Sequence, residues 1–210
     1  MAEPSSTRRG RPRDQAIAAC VLDAALAELG AKGYSAFSLT SVADAAGTTR
    51  PAIYRRWNDK DELIVDAVAH LAATDPPETT GDHFVDLVNE VDDFRHCIQA
   101  AGALPLAGVM LGDSVDPAVR AAYVERVVTP RRTRIRAILD AAVAAGDLPA
   151  NADLDVATTF ITGSWYSYRV ADRNAPADWP RRVATLIWNA CGGTPPANLA
   201  GVGRRRGRRR

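Results

Sequence analysis

The chain has 210 residues, 47% of them hydrophobic, enough for one packed domain or two small ones, and a net charge of only +1. No apolar run approaches the roughly 18 residues of a membrane span, the polar N-terminus lacks a signal peptide's apolar core, and three scattered cysteines (Cys20, Cys97 and Cys191) exclude a disulfide framework and suit a reducing cytoplasm. The charge is uneven: residues 1–60 hold nine Lys/Arg against six Asp/Glu, residues 61–203 hold eleven against nineteen, and the last seven add six Arg, so a basic module precedes an acidic body.

Residues 1–13, rich in Ser, Arg and Pro, are expected to form an unfolded arm. Asp14 opens a helical pattern in which Ile17, Val21, Ala25 and Leu29 recur on one face, and Gly30 and Gly33 end it near Lys32. Thr40 is positioned to cap a short helix over 41–46, which Gly47 stops. Thr49 is positioned to cap the next helix. Pro51 falls in its first turn, where a missing N–H costs nothing, so this proline starts a helix and does not break one. Ile53 and Trp57, four apart, face inward, leaving Arg50, Tyr54, Arg55 and Arg56 outward. Asp59 and Glu62 read as a capping box for a helix from Lys60 to about Ala73.

DPPETTGD (75–82) is a linker by composition. Beyond it the spacing predicts helices at about 83–101, 104–112, 117–145 with a kink or break at Pro130, 153–172 and 180–191. Residues 194–210 read as a disordered, Arg-rich tail. No segment shows strand alternation, and Ala- and Leu-rich runs favour helix, so the fold class is all-α.

Residues 40–57 thus read as helix, a turn around one glycine, and a second helix. This is the helix-turn-helix arrangement, in which the second helix enters the major groove. The motif, about residues 39–58 of a domain at 14–73, resembles the DNA-binding domain of the TetR family of bacterial transcriptional regulators. Thr40, Val42-Ala43, Ala46-Gly47, Tyr54, Trp57, Lys60 and Leu63 carry the resemblance in order and spacing, with Trp57 where Phe is commoner. The body, about 83–193, matches the family in length and helix content only.

The DNA-contacting set expected is Thr40, Thr48, Thr49, Arg50, Pro51, Ala52, Tyr54, Arg55, Arg56 and Lys60. The resemblance implies that Tyr54 and Lys60 touch backbone phosphate. Thr49, Arg50 and Ala52 stand near the recognition helix's start, where base edges are within reach; an Arg can bond two guanine acceptors and an Ala can touch a thymine methyl. RRGRPR (8–13) resembles the core of an AT-hook, so Arg8, Arg9, Arg11 and Arg13 are candidates for the minor groove, set against the plainer reading of a solubilising tail. The terminal Arg run is read as nonspecific DNA contact.

Asp93, His96 and Cys97 share one helix face but lack a partner elsewhere, so no metal is assigned, and no cofactor is expected. No HExxH, GxSxG, Walker or dinucleotide motif is present, which argues against an enzyme.

One helix-turn-helix reads only a few base pairs, so a two-fold homodimer on a palindrome is expected. Its interface is assigned to Phe160, Ile161, Trp165, Tyr168, Val183, Ile187 and Trp188, which the plainer reading makes intrachain core. The resemblance further implies a small-molecule effector of unknown identity within the body. Candidate lining residues are Phe94, Leu104, Met110, Tyr123, Trp165 and Tyr166, each of which is also a plausible core residue. No buried charge is legible to indicate the effector's polarity. The expectation is a cytoplasmic, homodimeric, ligand-responsive repressor on a double-stranded DNA operator. Two rivals stay open: an architectural DNA binder of weak specificity, and a helical interaction module without DNA function.

Overall fold

The computed structural model describes residues 11–73, 76–100 and 117–196, with the side chains of 11–15, 72–73 and 100 left aside. Among the described residues all regular secondary structure is helical, without strands. They divide into two compact units: residues up to 71 with 100–126, and residues 72–99 with those from 127 onward.

In the first unit, α1 (Arg11–Lys32) packs on α2 (Leu39–Ala45), and α2 on α3 (Arg50–Tyr54). Helix α4 (Lys60–Ala73) and α6 (Pro117–Tyr123) complete it. The first helix starts at Arg11, not Asp14, so the expected unfolded arm is too long: Pro12 sits in the first turn, where its missing N–H has no intrahelical partner to lose. Its buried stripe is Val21, Ala25 and Leu29, while Ile17 stays exposed. These meet Phe37, Val42, Ala43, Ile53, Trp57 and Leu63 in the core. Burial of each large apolar side chain contributes about 1.5–3 kcal/mol.

The α2 cap lies two residues from where the spacing put it, and the α4 cap is where it was expected but with a different back-bond. Ser38, not Thr40, caps α2, its Oγ accepting from Ser41 N; either hydroxyl could do so, and the backbone of Ser38 is the extended one a cap needs. Asp59 caps α4, accepting from Asp61 N and Glu62 N, but Glu62 reaches back to Asn58 N at 2.8 Å rather than to Asp59 N. Thr49 caps α3 as expected, accepting from Ala52 N, and Gly47 turns the chain with φ +62°, a backbone few other residues adopt.

The second unit holds α5 (His83–Ala100), α7 (Thr129–Ala145), α8 (Leu154–Val170) and α9 (Trp179–Ala190). Helix α7 packs on α8, and α8 on α9. The kink or break expected at Pro130 within 117–145 takes the form of a π-helical turn, Val124–Val128, just before it. Pro130 has no N–H for the carbonyl of Arg126 and crowds it, so the chain widens just before the proline. The core collects Phe84, Leu87, Val91 and Phe94 with Ile135, Leu139, Ile161, Trp165, Val183, Ile187 and Trp188; Phe84 meets Trp188 edge-on at 5.3 Å. The predicted helix at 104–112 lies outside the described residues.

Candidate nucleic-acid interface

Helix α3 is five residues long and owes its place to Ile53 and Trp57, which are 1% and 5% exposed. With those two inward, the remaining side chains of the turn face out. Tyr54 is 44% exposed, and Thr49, Arg50, Pro51, Arg55 and Arg56 are exposed, while Thr48 and Ala52 are half-buried. An open depression lies between the helix starts, lined by Phe37, Ser38, Leu39, Thr40, Arg50, Tyr54, Asn58, Asp59 and Lys60. Four of the expected DNA residues, from three helices, therefore share one concavity. Arg8 and Arg9 lie outside the described residues, as do the side chains of Arg11 and Arg13.

The electrostatics of this face are arranged by its neighbours. Arg50 Nη2 donates to Tyr54 Oη at 3.4 Å, with its guanidinium 5.8 Å from the ring centre. Lys60, on the first turn of α4, is badly placed for the helix dipole. Tyr34 compensates: Lys60 Nζ lies 4.4 Å from its ring centre. The Tyr34 hydroxyl donates to Asp61 at 2.8 Å. Burial, then that carboxylate, push the phenol's pKa up to about 12. The start of α2 and the cations Arg50 and Lys60 suit a phosphate backbone. Tyr34, Ser38, Asn58 and Asp59 were missed as partners of the site; the cap signal at Asp59 could have pointed to one of them.

In the body, three candidate lining residues meet. Phe94 stacks edge-on with Tyr166 at 6.2 Å and tilts against Trp179, which lies 5.0 Å from Trp165. The Trp165 indole N–H is buried and has no hydrogen-bond partner among the described residues. Tyr123 is buried in the first unit, and Leu104 and Met110 lie outside the described residues. Beside Phe94 sits a charged cluster. Arg131 Nη1 donates to Glu90 Oε1 at 2.8 Å and Asp93 Oδ2 at 2.7 Å, and Arg134 Nε donates to Glu90 at 3.0 Å. Arg131, Glu90 and Asp93 are all buried. Asp93 is thus engaged by an arginine, while His96 is exposed on the backbone of Asp92; among the described residues no group suited to a metal occurs. Burial, reinforced by Asp93 and opposed by Arg131, raises the pKa of the Cys97 thiol.

Most residues assigned to a subunit interface face inward. Ile161, Trp165, Val183, Ile187 and Trp188 are intrachain core because α8 packs on α7 and on α9, and Trp188 meets Phe84 of α5; Tyr168 is half-buried. Phe160 is 61% exposed. With it on the outer face of α8 lie Val156, Gly163, Ser167 and Val170, spaced four, three, four and three residues apart, and Leu186 is exposed on α9. That spacing is a helix-packing seam. No helix among the described residues is long and apolar enough to cross a membrane.

The fold and this face define a helix-turn-helix DNA-binding protein with a helical body. Residues 21–67 match the model of bacterial regulatory proteins of the tetR family, and residues 77–187 match a tetracyclin repressor-like C-terminal domain. The DNA-binding transcriptional repressor TetR of Mycobacteroides abscessus is 31% identical over 160 residues, spanning 73% of this chain and 82% of its own. The HTH-type transcriptional regulator YdeS of Bacillus subtilis is 27% identical over 159 residues, covering 75% and 80%. The crystal structure of the TetR family regulator SCO0332 superposes with a TM-score of 0.65 at 24% identity, over 86% of this chain and 99% of that one. That of Bacillus subtilis FadR with stearoyl-CoA gives 0.61 at 16%, over 84% and 99%. The chain belongs to the tetR family of bacterial regulatory proteins, and is a DNA-binding transcriptional regulator, not an enzyme.

Proposed function

We propose that the protein is an effector-responsive repressor that binds a palindromic operator as a homodimer in the cytoplasm. The observation that carries this is the shared concavity, where Thr40, Arg50, Tyr54 and Lys60 converge from three helices. In this reading the exposed residues of α3 and its cap enter the major groove, with Thr49, Arg50 and Ala52 at base edges. Pro51, Thr48, Arg55 and Arg56 flank them, while Thr40, Tyr54 and Lys60 hold phosphate. Arg8, Arg9, Arg11 and Arg13 extend the footprint.

The seam of Val156, Phe160, Gly163, Ser167 and Val170, with Leu186, supports a two-fold pairing of α8 and α9 from two chains, which would make a four-helix bundle. The aromatic cluster of Phe94, Trp165, Tyr166 and Trp179 supports an effector site in the body, where the unpaired Trp165 N–H would favour a ligand with an acceptor oxygen. The FadR structure, of the same fold, holds stearoyl-CoA.

In vitro selection tests the reading: purified protein against random duplex DNA at near-physiological salt. A recovered palindrome is the expected result. Binding without any motif would overturn it in favour of nonspecific contact through the Arg-rich termini. No binding, with a co-purified effector removed, would leave an interaction module.

A further inference from the structure

Asp66 lies on α4 outside the concavity, and the DNA reading gives it no part. Its two carboxylate oxygens serve different partners. Oδ2 accepts from Trp57 Nε1 at 2.9 Å, and Oδ1 from Arg126 Nη1. Trp57 is one of the two side chains that seat α3, and it is only 5% exposed. An indole N–H at that depth is costly without an acceptor, so Asp66 fixes the rotation of the ring as well as satisfying it.

A carboxylate alone could meet the indole from several angles. Arg126 selects one by holding the other oxygen. Arg126 stands sixty residues further along the chain, in the π-helical turn, and is the last residue of the first unit. Five residues on, the same run of helix carries Arg131, whose guanidinium is locked between Glu90 and Asp93 in the second unit. A π-turn is a place where a helix can change its winding at small cost. It connects the two arginines.

The geometry points to Asp66 and Arg126 as positioning residues for DNA reading: Arg126 orients Asp66, Asp66 orients Trp57, and Trp57 sets how α3 presents Arg50 and Tyr54. The inference rests on the proposed role of α3 in DNA binding.

The test uses the full-length chain and two readouts. One is the ratio of affinities for the duplex recovered by selection and a scrambled duplex of the same composition. The other is the indole N–H signal of Trp57 in a nitrogen-15 spectrum, which holds one signal for each of four tryptophans and is assigned with Trp57→Phe. Asp66→Asn keeps an acceptor for Trp57 but loses the ion pair, so it should match Arg126→Gln. Both should move the Trp57 signal and lower the affinity ratio about two- to fivefold, the scale of a half-exposed pair. Asp66→Ala leaves the N–H unpaired and should lower it about tenfold. Adding Arg126→Gln to Asp66→Ala should change nothing more, and Arg126→Lys should keep the wild-type ratio.

The inference is overturned if Arg126→Gln leaves the Trp57 signal and the ratio at their wild-type values, or if the two substitutions simply add. Should Asp66→Ala not fold, the Asp66→Asn and Arg126→Gln pair still decides. If the wild-type chain does not distinguish the two duplexes, the DNA reading fails. The Trp57 signal alone then decides whether Arg126 orients the indole.

Discussion

Arg50 and Tyr54 hold each other: one guanidinium N–H donates to the phenol oxygen at 3.4 Å, four residues along a helix of only five. Both side chains are exposed. An unsupported arginine would lose much rotamer freedom on meeting a base, and a partner on the same helix face reduces that loss. The pair therefore links the residue proposed to read sequence with one proposed to hold phosphate.

The two roles separate on a panel of duplexes carrying single base changes. Arg50→Ala should relax preference at one base pair per half-site by ~1–3 kcal/mol. Tyr54→Ala should weaken binding to every duplex alike and leave the ranking intact. A Tyr54→Ala loss confined to certain sequences would assign base reading to the wrong residue.

The outer seam of α8 predicts which substitutions separate chains without unfolding them. A Cβ at Gly163 would meet nothing within 4 Å in the isolated chain, and glycine is a poor helix former. Gly163→Glu should therefore leave the chain as stable as before, or more so. In sedimentation velocity, however, it should shift a dimer to monomer, as should Phe160→Arg. Trp188→Ala, by contrast, empties a core site and should cost about 3–5 kcal/mol in urea unfolding. An unchanged sedimentation coefficient in both surface variants would move the interface elsewhere.

Much of the DNA-binding module was legible because its signals are local. Gly47, Thr49 and Pro51 each announce a turn or a helix start by their own chemistry, and the inward spacing of Ile53 and Trp57 follows. The shift of the α2 cap from Thr40 to Ser38 was not legible, since both carry a hydroxyl able to cap and only the folded backbone chooses. In the body, aromatic content misled: Trp165 and Trp188 were assigned to an interface for their size, yet size does not distinguish a core from a contact. The period of 156, 160, 163, 167 and 170 is instead what the proposed pairing rests on. The Arg131 cluster was invisible, because its partners lie 38 and 41 residues away and each reads locally as a surface charge.

That cluster makes a prediction of its own. Arg131→Met would leave Glu90 and Asp93 buried beside each other without their shared cation. Loss of one partner from a buried pair costs about 3–5 kcal/mol. Urea unfolding of Arg131→Met should show a loss of that order, and Glu90→Gln with Asp93→Asn in the same chain should recover part of it. A loss under about 1 kcal/mol would mean that water already reaches the cluster.

The last prediction concerns alkaline pH. The Tyr34 phenol holds its proton up to about 12 in the folded chain, against 10.0 ordinarily, because burial and the Asp61 carboxylate disfavour the phenolate. The folded state thus binds this proton more tightly than the unfolded one. Its contribution is complete below pH 10 and disappears as pH rises from there to about 12. Cys97 acts in the same direction, its thiol raised chiefly by burial, so its contribution is also lost on the alkaline side. Stability measured by urea should therefore fall as pH climbs past 10. In Tyr34→Phe the fall should be shallower, because phenylalanine has no proton to release while it keeps a ring beneath Lys60. A Tyr34→Phe curve parallel to wild type across that range would show that another group governs the alkaline limb.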